Sequence, residues 1–386
     1  MWQSSRTLWL IYILAALVVS YLKLSVGINA SGYTAYENYI IFKNSFAHLV
    51  QGQNPYAAYP AEQWDLYKYS PAFALVMAPF HWLSNWLGLH LWNLANALPL
   101  LAAIMHLPLI DASKRRFMAW FILPELVVSM QNSQSNGLTA ALLLWAFIAL
   151  EKQKPVWAAG WTAAGGFLKI FGVFAAIPAL IYPTWRVFLP ALAAWSALLF
   201  LLPLVVLSPE QLWQVYAWWW ELLREDHSAS VGLSVLGWLE TWFGWKASKI
   251  GVTLAGLVLL GASVFAVHRQ PSTVNRFLAW ASVLIWVVIF NHKAESPTFV
   301  IALCGVALWY LTDEKPPVWK KILFWTAFAL ASLSPTDIFP RIIREQWVQP
   351  YVLKAVPCII IWLIITWQLI SQRIFAAESP SNDLMT

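Results

Sequence analysis

The chain has 386 residues, 60% of them hydrophobic and only 11% charged, with 27 tryptophans and a formal net charge of +6. Apolar runs of about 20 residues separated by short charged loops exclude a soluble globular protein, and the lack of an alternating ten-residue strand pattern favours helices over a closed barrel. The basic residues come in small groups between apolar spans and form no single face or tail, which argues against a nucleic-acid partner.

In chain order, the first apolar span, 8–29, is too long for a signal-peptide core and lacks a convincing small-residue cleavage site, so it is expected to stay as a membrane helix. A polar stretch follows, 30–69, in which 36–51 is amphipathic at helical spacing: Tyr39, Phe42, Phe46, Leu49 and Val50 on one side, Glu37, Asn44, His48 and Gln51 on the other. Further spans are expected near 86–109, 117–131, 137–150, 186–207, 249–267, 277–291, 297–311, 322–336 and 351–370. Two apolar stretches fit poorly as ordinary spans. Residues 70–84 are short and capped by Pro71 and Pro79, and 155–182 carry Gly165, Gly166 and Lys169 in their middle; both read as broken or re-entrant helices. A second amphipathic helix, 211–227, sets Leu212, Trp219, Leu222 and Leu223 against Gln214, Glu221 and Glu225. Cys304 and Cys358 fall inside apolar runs and read as packing residues, with no disulfide framework or metal cluster.

The basic loops 111–116, 151–154, 268–276 and 312–321, with the Arg186 flank, place one face in the cytoplasm together with both termini and the tail 371–386. The other face receives 30–69, 131–136, 208–245, 291–296 and 337–350, where most polar residues collect. The expectation is an all-α polytopic protein of the cell (inner) membrane: a single integral domain of ten to twelve transmembrane helices, with broken helices and extracytoplasmic interfacial ones.

Four polar groupings can carry chemistry. Glu37 and Asp65, the latter near Lys68, are candidate general bases for a sugar hydroxyl; equally, Glu37 suits a helix N-terminus and Asp65 a turn cap. The amide-rich turn 130–137 offers Gln134 and Asn136, with Asn38 beside Glu37, for hydroxyls or a phosphate, or simply a polar turn with caps. Lys169 inside an apolar stretch should face a cavity or an anion, the donor phosphate in particular, with simple snorkelling as the alternative. In 290–297, His292 and Lys293 can hold a phosphate leaving group, while Glu295 can contact a sugar or pair with Lys293 or Arg341. Arg341 and Arg344, three residues apart, can add to the phosphate site or serve as interfacial anchors. There is no P-loop, dinucleotide fingerprint, zinc-protease motif or nucleophile elbow, so no cofactor is expected and a metal is not required.

The order Gly52 to Tyr56 (GQNPY), Tyr69 to Pro71 (YSP), Gln134 to Asn136 (QSN), Gly165 to Lys169 and Ser296–Pro297 resembles glycosyltransferase family 87, over about residues 30–310. The resemblance implies a C-type membrane glycosyltransferase fold. It also implies inverting transfer of a hexose, mannose first, from a polyprenyl-phosphate sugar donor to a glycolipid or glycan acceptor outside the cytoplasm, among membrane lipids. The family's loop Asp, about seventeen residues before the Pro of the PY turn, falls on Asn38 here, and an amide cannot act as a base; Glu37 is adjacent. A lipid-linked sugar transporter or flippase is the rival reading of the broken helices and Lys169, and a non-catalytic envelope-polysaccharide scaffold is the reading that would explain the missing Asp.

Overall fold

A computed structural model describes residues 5–225 and 230–378, with side chains through 371. The expected tail therefore lies outside the described residues from 379 onward, as do 226–229 of the second large loop. Helices run in order α1 (Ser5–Ser25), α2 (Glu37–Val50), α3 (Pro71–Val76), α4 (Ala78–His81), α5 (Asn85–Met105), α6 (Ala112–Gln131), α7 (Asn136–Glu151), α8 (Pro155–Leu168) and α9 (Ala176–Ala179). They continue with α10 (Trp185–Leu201), α11 (Pro209–Arg224), α12 (Val235–Phe243), α13 (Lys249–Arg269), α14 (Thr273–Ile289), α15 (Phe299–Leu311), α16 (Val318–Phe328), α17 (Arg341–Ile343) and α18 (Val356–Glu378). Among the described residues there is no strand, only an isolated bridge between Ile28 and Thr34.

Many of these helices start on a side chain that accepts a first-turn amide: Ser70, Ser84, Asp111, Ser208, Ser234, Ser248 and Ser272. Ser208 makes a full capping box with Gln211. Among the described residues four helical stretches are long and apolar enough to cross a membrane: α1, α5, Trp185–Val205 and α13. Of the ten to twelve spans expected, length and apolarity establish these four; α7, α14 and Val356–Ser371 are apolar but shorter.

The chain gathers into two compact units. The first comprises Met1–Phe174, Arg186–Ser230 and Ser296–Ile301. Within it, α5 packs against α1, α6 and α7, and α8 lies along α7. Asn93 Nδ2 donates to Ser20 Oγ at 2.9 Å, tying α5 to α1 through a buried polar pair. A second layer, α2, α3, α4 and α11, closes an aromatic core of Tyr39, Phe42, Phe46, Tyr67, Phe73 and Trp92. Phe42 meets Trp92 and Phe73 edge-on, both at 5.5 Å between centroids, the arrangement aromatic quadrupoles favour.

Two expectations change in this layer. The polar side of α2 is partly covered: Glu37 and His48 are buried, while Gln51 stays exposed. The loop 52–69 folds back over that side and supplies their partners, Trp64 and Glu62. Val50, assigned to the apolar side, is exposed. In α11 the apolar face does turn inward, with Leu212 and Val215 buried and Trp219 and Leu222 against the core, while Trp213 and Trp220 project outward.

The second unit comprises Ala175–Trp185, Val231–Glu295 and Ala302–Thr386. Here α13, α14 and α18 pack together, with α16 on α18 and α12 on α13. Lys320 is buried beside Asp313 (2.9 Å), with its ammonium 4.6 Å from the Trp309 ring centroid.

Candidate active site

In the first unit Asn38, Tyr69 and Lys169 meet Gln134 and Asn136 at the turn between α6 and α7. α6 ends because Ser133 enters the left-handed region (φ +51°), and the amides of Ser133 and Gln134 bond back to Met130 O and Ser129 O at 2.9 and 3.2 Å. Trp92 Nε1 donates to Ser133 O at 2.9 Å, and Asn38 Nδ2 to Asn132 O at 2.9 Å. Asn96 Oδ1 accepts the Leu138 amide at 3.0 Å, so α5 holds both sides of the turn. Asn136 opens α7, fully buried.

Lys169 reaches this turn because α8 stops one residue before it. Its backbone is extended (φ −139°, ψ 121°), and the chain continues as a 3-10 segment, Ile170–Ala175. The turn-back requires glycine: Gly172 packs directly on the backbone of Gly165 and Gly166, leaving no room for a Cβ. The broken helix read from the sequence over 155–182 is thus a break at Lys169. Its Nζ donates to Asn136 Oδ1 at 2.5 Å and lies 5.8 Å from the Tyr69 ring centroid.

The YSP motif supports this arrangement. Ser70 caps α3 by accepting the Phe73 amide, Pro71 occupies the first helical position, and Ser70 Oγ donates to Phe167 O at 2.6 Å in the last turn of α8. Tyr69 OH donates to Gln134 Oε1 at 3.5 Å and accepts from Ser135 Oγ at 3.3 Å. Burial pushes the neighbouring Tyr56 and Tyr67 hydroxyls well above the ordinary phenol range. They act as neutral donors, Tyr56 to Tyr69 O and Tyr67 to Ser70 O.

Glu37 is the first residue of α2, where a carboxylate favours the helix dipole. Its Oε2 accepts from the Thr34 amide (3.2 Å) and hydroxyl (3.0 Å), and Oε1 from the Trp64 amide (3.2 Å). It therefore fastens the loop 52–69 to α2. Asp65 is ion-paired to Lys68 at 2.7 Å and caps the Leu66 amide. Glu37, Asn38, Asp65, Gln134, Asn136 and Lys169 all belong to the first unit.

His292, Lys293, Glu295 and Arg341 belong to the second. Asn291 Oδ1 accepts the Lys293 amide at 3.0 Å, an Asx turn, and Ala294 O accepts the Leu233 amide at 2.9 Å. Gly232 (φ +62°) runs against His292 O so closely that a Cβ would sit 2.5 Å from it. His292 is half-buried, and Lys293 and Glu295 are exposed. Arg341 pairs with Glu345 at 2.6 Å and Arg344 with Asp337 at 3.4 Å. A π-turn beginning at Arg344 breaks the regular helical face on which the two arginines were expected.

Besides Lys320, the buried charged residues Glu125 and Lys354 were missed by the sequence reading. Glu125, fully buried in α6 after Pro124, was signalled by being an acid inside an apolar span, 117–131. Lys354, buried just before α18, gave the corresponding signal within 351–370.

A family model described as "Glycosyltransferase family 87" matches residues 67–332. The match takes in the YSP motif, the amide turn, Lys169 and the 291–295 loop, and begins after Glu37, Asn38 and Asp65. A curated relative, GPI mannosyltransferase 1 of Eremothecium gossypii, is 24% identical over 152 residues, which are 38% of this chain and 36% of that protein. The chain thus matches about a third of that relative's length.

Proposed function

Because the chain belongs to glycosyltransferase family 87, we propose that it transfers a hexose, mannose first, from a polyprenyl-phosphate donor to a hydroxyl of a glycolipid or glycan acceptor. Transfer occurs with inversion at the extracytoplasmic face of the cell membrane, with both termini cytoplasmic. The observation that carries this reading is Lys169: an ammonium delivered by a helix break to the N-terminus of α7, at 2.5 Å from Asn136 Oδ1. A cation is not what a helix N-terminus attracts, since that end already carries partial positive charge. An anion there is stabilised by both the ammonium and the α7 amides. The fully buried Asn136 also holds an Nδ2 that makes no hydrogen bond among the described residues and can donate to the same anion.

In the proposed reaction the acceptor oxygen attacks the anomeric carbon as the bond from that carbon to the phosphate oxygen breaks. The electron pair leaves with polyprenyl phosphate, whose charge Lys169 stabilises. Glu37 takes the acceptor's proton, releasing its 3.2 Å bond from the Trp64 amide as it does so; Asp65 is the second carboxylate of the loop. Gln134, Asn136 and Asn38 contact sugar hydroxyls. His292 and Lys293 give the second unit an anion-binding turn of its own, with Glu295 next to it.

The test is transfer of radiolabelled mannose from a short-chain polyprenyl-phosphate mannose by purified protein, with Lys169→Ala and Glu37→Gln as comparisons. Each variant should lose roughly a hundredfold or more in kcat/KM. Wild-type turnover that survives Lys169→Ala would refute the phosphate site. No turnover with any polyprenyl-phosphate sugar, alongside lipid-linked sugar flux in proteoliposomes, would replace the enzyme by a transporter.

A further inference from the structure

We infer that Tyr69 is a positioning residue that sets the place of the Lys169 ammonium through the face of its ring, an inference that rests on the proposed phosphate site. The ring is fixed from two sides. It meets Phe42 of α2 edge-on, 4.8 Å between centroids at 77°, and lies 5.0 Å from Phe73 of α3. Its backbone is held as well, since Tyr69 O accepts from Tyr56 OH and Ser70 Oγ is bonded to Phe167 O. The hydroxyl is tied to the amide turn through Ser135 and Gln134 at 3.3 and 3.5 Å, at the long and weak end of the range.

The Lys169 ammonium thus lies 2.5 Å from Asn136 Oδ1 and 5.8 Å from the centre of an aromatic face that is itself packed on both sides. A lysine side chain has four rotatable bonds and about 2 kcal/mol of rotamer entropy to lose on ordering. Asn136 fixes one direction of approach, and the ring fixes the other. An ammonium over an aromatic face keeps its charge, because the attraction to the ring is electrostatic and involves no proton transfer. Of the two parts of Tyr69, the ring is the one that acts on Lys169, and the hydroxyl belongs to the turn.

Binding of citronellyl phosphate, measured by calorimetry with citronellol as the uncharged control, separates these roles. Tyr69→Phe keeps the ring and should bind within about twofold of wild type, while Tyr69→Leu should weaken binding roughly threefold to thirtyfold. In turnover, Tyr69→Leu should lower kcat as well as raise the donor KM, because the displaced ammonium also serves the leaving phosphate. In a Lys169→Ala background Tyr69→Leu should cost nothing further, because its effect passes through the ammonium. A structural role would instead weaken both backgrounds equally, and that result overturns the inference. So does wild-type binding by Tyr69→Leu, or equal loss in Tyr69→Phe and Tyr69→Leu. If Lys169→Ala itself binds citronellyl phosphate as wild type does, the phosphate site falls and the role of Tyr69 with it.

Discussion

Ser70→Ala tests how the YSP motif holds the site. Ser70 is 1% exposed, and its one hydroxyl serves two helices: it accepts the Phe73 amide at the start of α3 and donates to Phe167 O at the end of α8. Removing an N-cap oxygen costs about 0.5–2 kcal/mol. Stripping a last-turn carbonyl of its donor in a buried setting costs about 1–3 kcal/mol more. The two costs together predict a loss of about 1.5–5 kcal/mol of folding stability. The assay is an unfolding titration in mixed micelles against wild type, with Ser70→Thr, which keeps the oxygen, staying within about 1 kcal/mol. Phe167 lies two residues before Lys169, so the transfer rate should fall in Ser70→Ala even at temperatures where it remains folded. A loss below about 0.5 kcal/mol would refute the reasoning, because neither hydrogen bond could then contribute what its burial implies.

Gly232→Ala should displace the 291–294 turn, since the residue has φ +62° and its Cβ would collide with His292 O; a loss of about 1–3 kcal/mol is expected, with altered protease sensitivity at that turn. Trp92→Phe removes the donor to the buried Ser133 O and should cost about 1–3 kcal/mol, read by the same titration; an unchanged variant would remove Trp92 from the support of the amide turn and leave it to Asn96. The α6 amides of Lys114 and Ser113 hold the Asp111 carboxyl below its ordinary range. With the folded pKa depressed, its contribution is fully present above the unfolded value of about 4 and is lost as pH falls through the folded value. Wild type and Asp111→Asn should accordingly converge in stability below about pH 4; a difference that persists unchanged to pH 2 would contradict this.

Helix positions were legible in the sequence because apolar runs and caps are local. The spans expected at 86–109 and 137–150 appear as α5 and α7, and the glycines with Lys169 marked the break after α8. The surroundings of Glu37 and His48 were not legible. Each is buried by loop residues, Trp64 and Glu62, that lie 27 and 14 positions away, and helical periodicity on 36–51 reports only the residues of that helix. The same limit applies to Tyr69. Its motif was visible, but its relation to Lys169, a hundred residues on, depends on where α8 ends and how α3 is turned toward it.

The glycine fold-back after α8 has a consequence for how this lysine could change. A cationic side chain on a regular helix face can be moved one turn along and still point the same way, but Lys169 sits at a backbone corner made by Gly172 packed on Gly165. A lysine transplanted to 168 or 170 in a Lys169→Leu background would leave that corner and should not restore transfer. The charge at this place is tied to a single chain position, and the glycines around it are as much a part of that address as the ammonium itself.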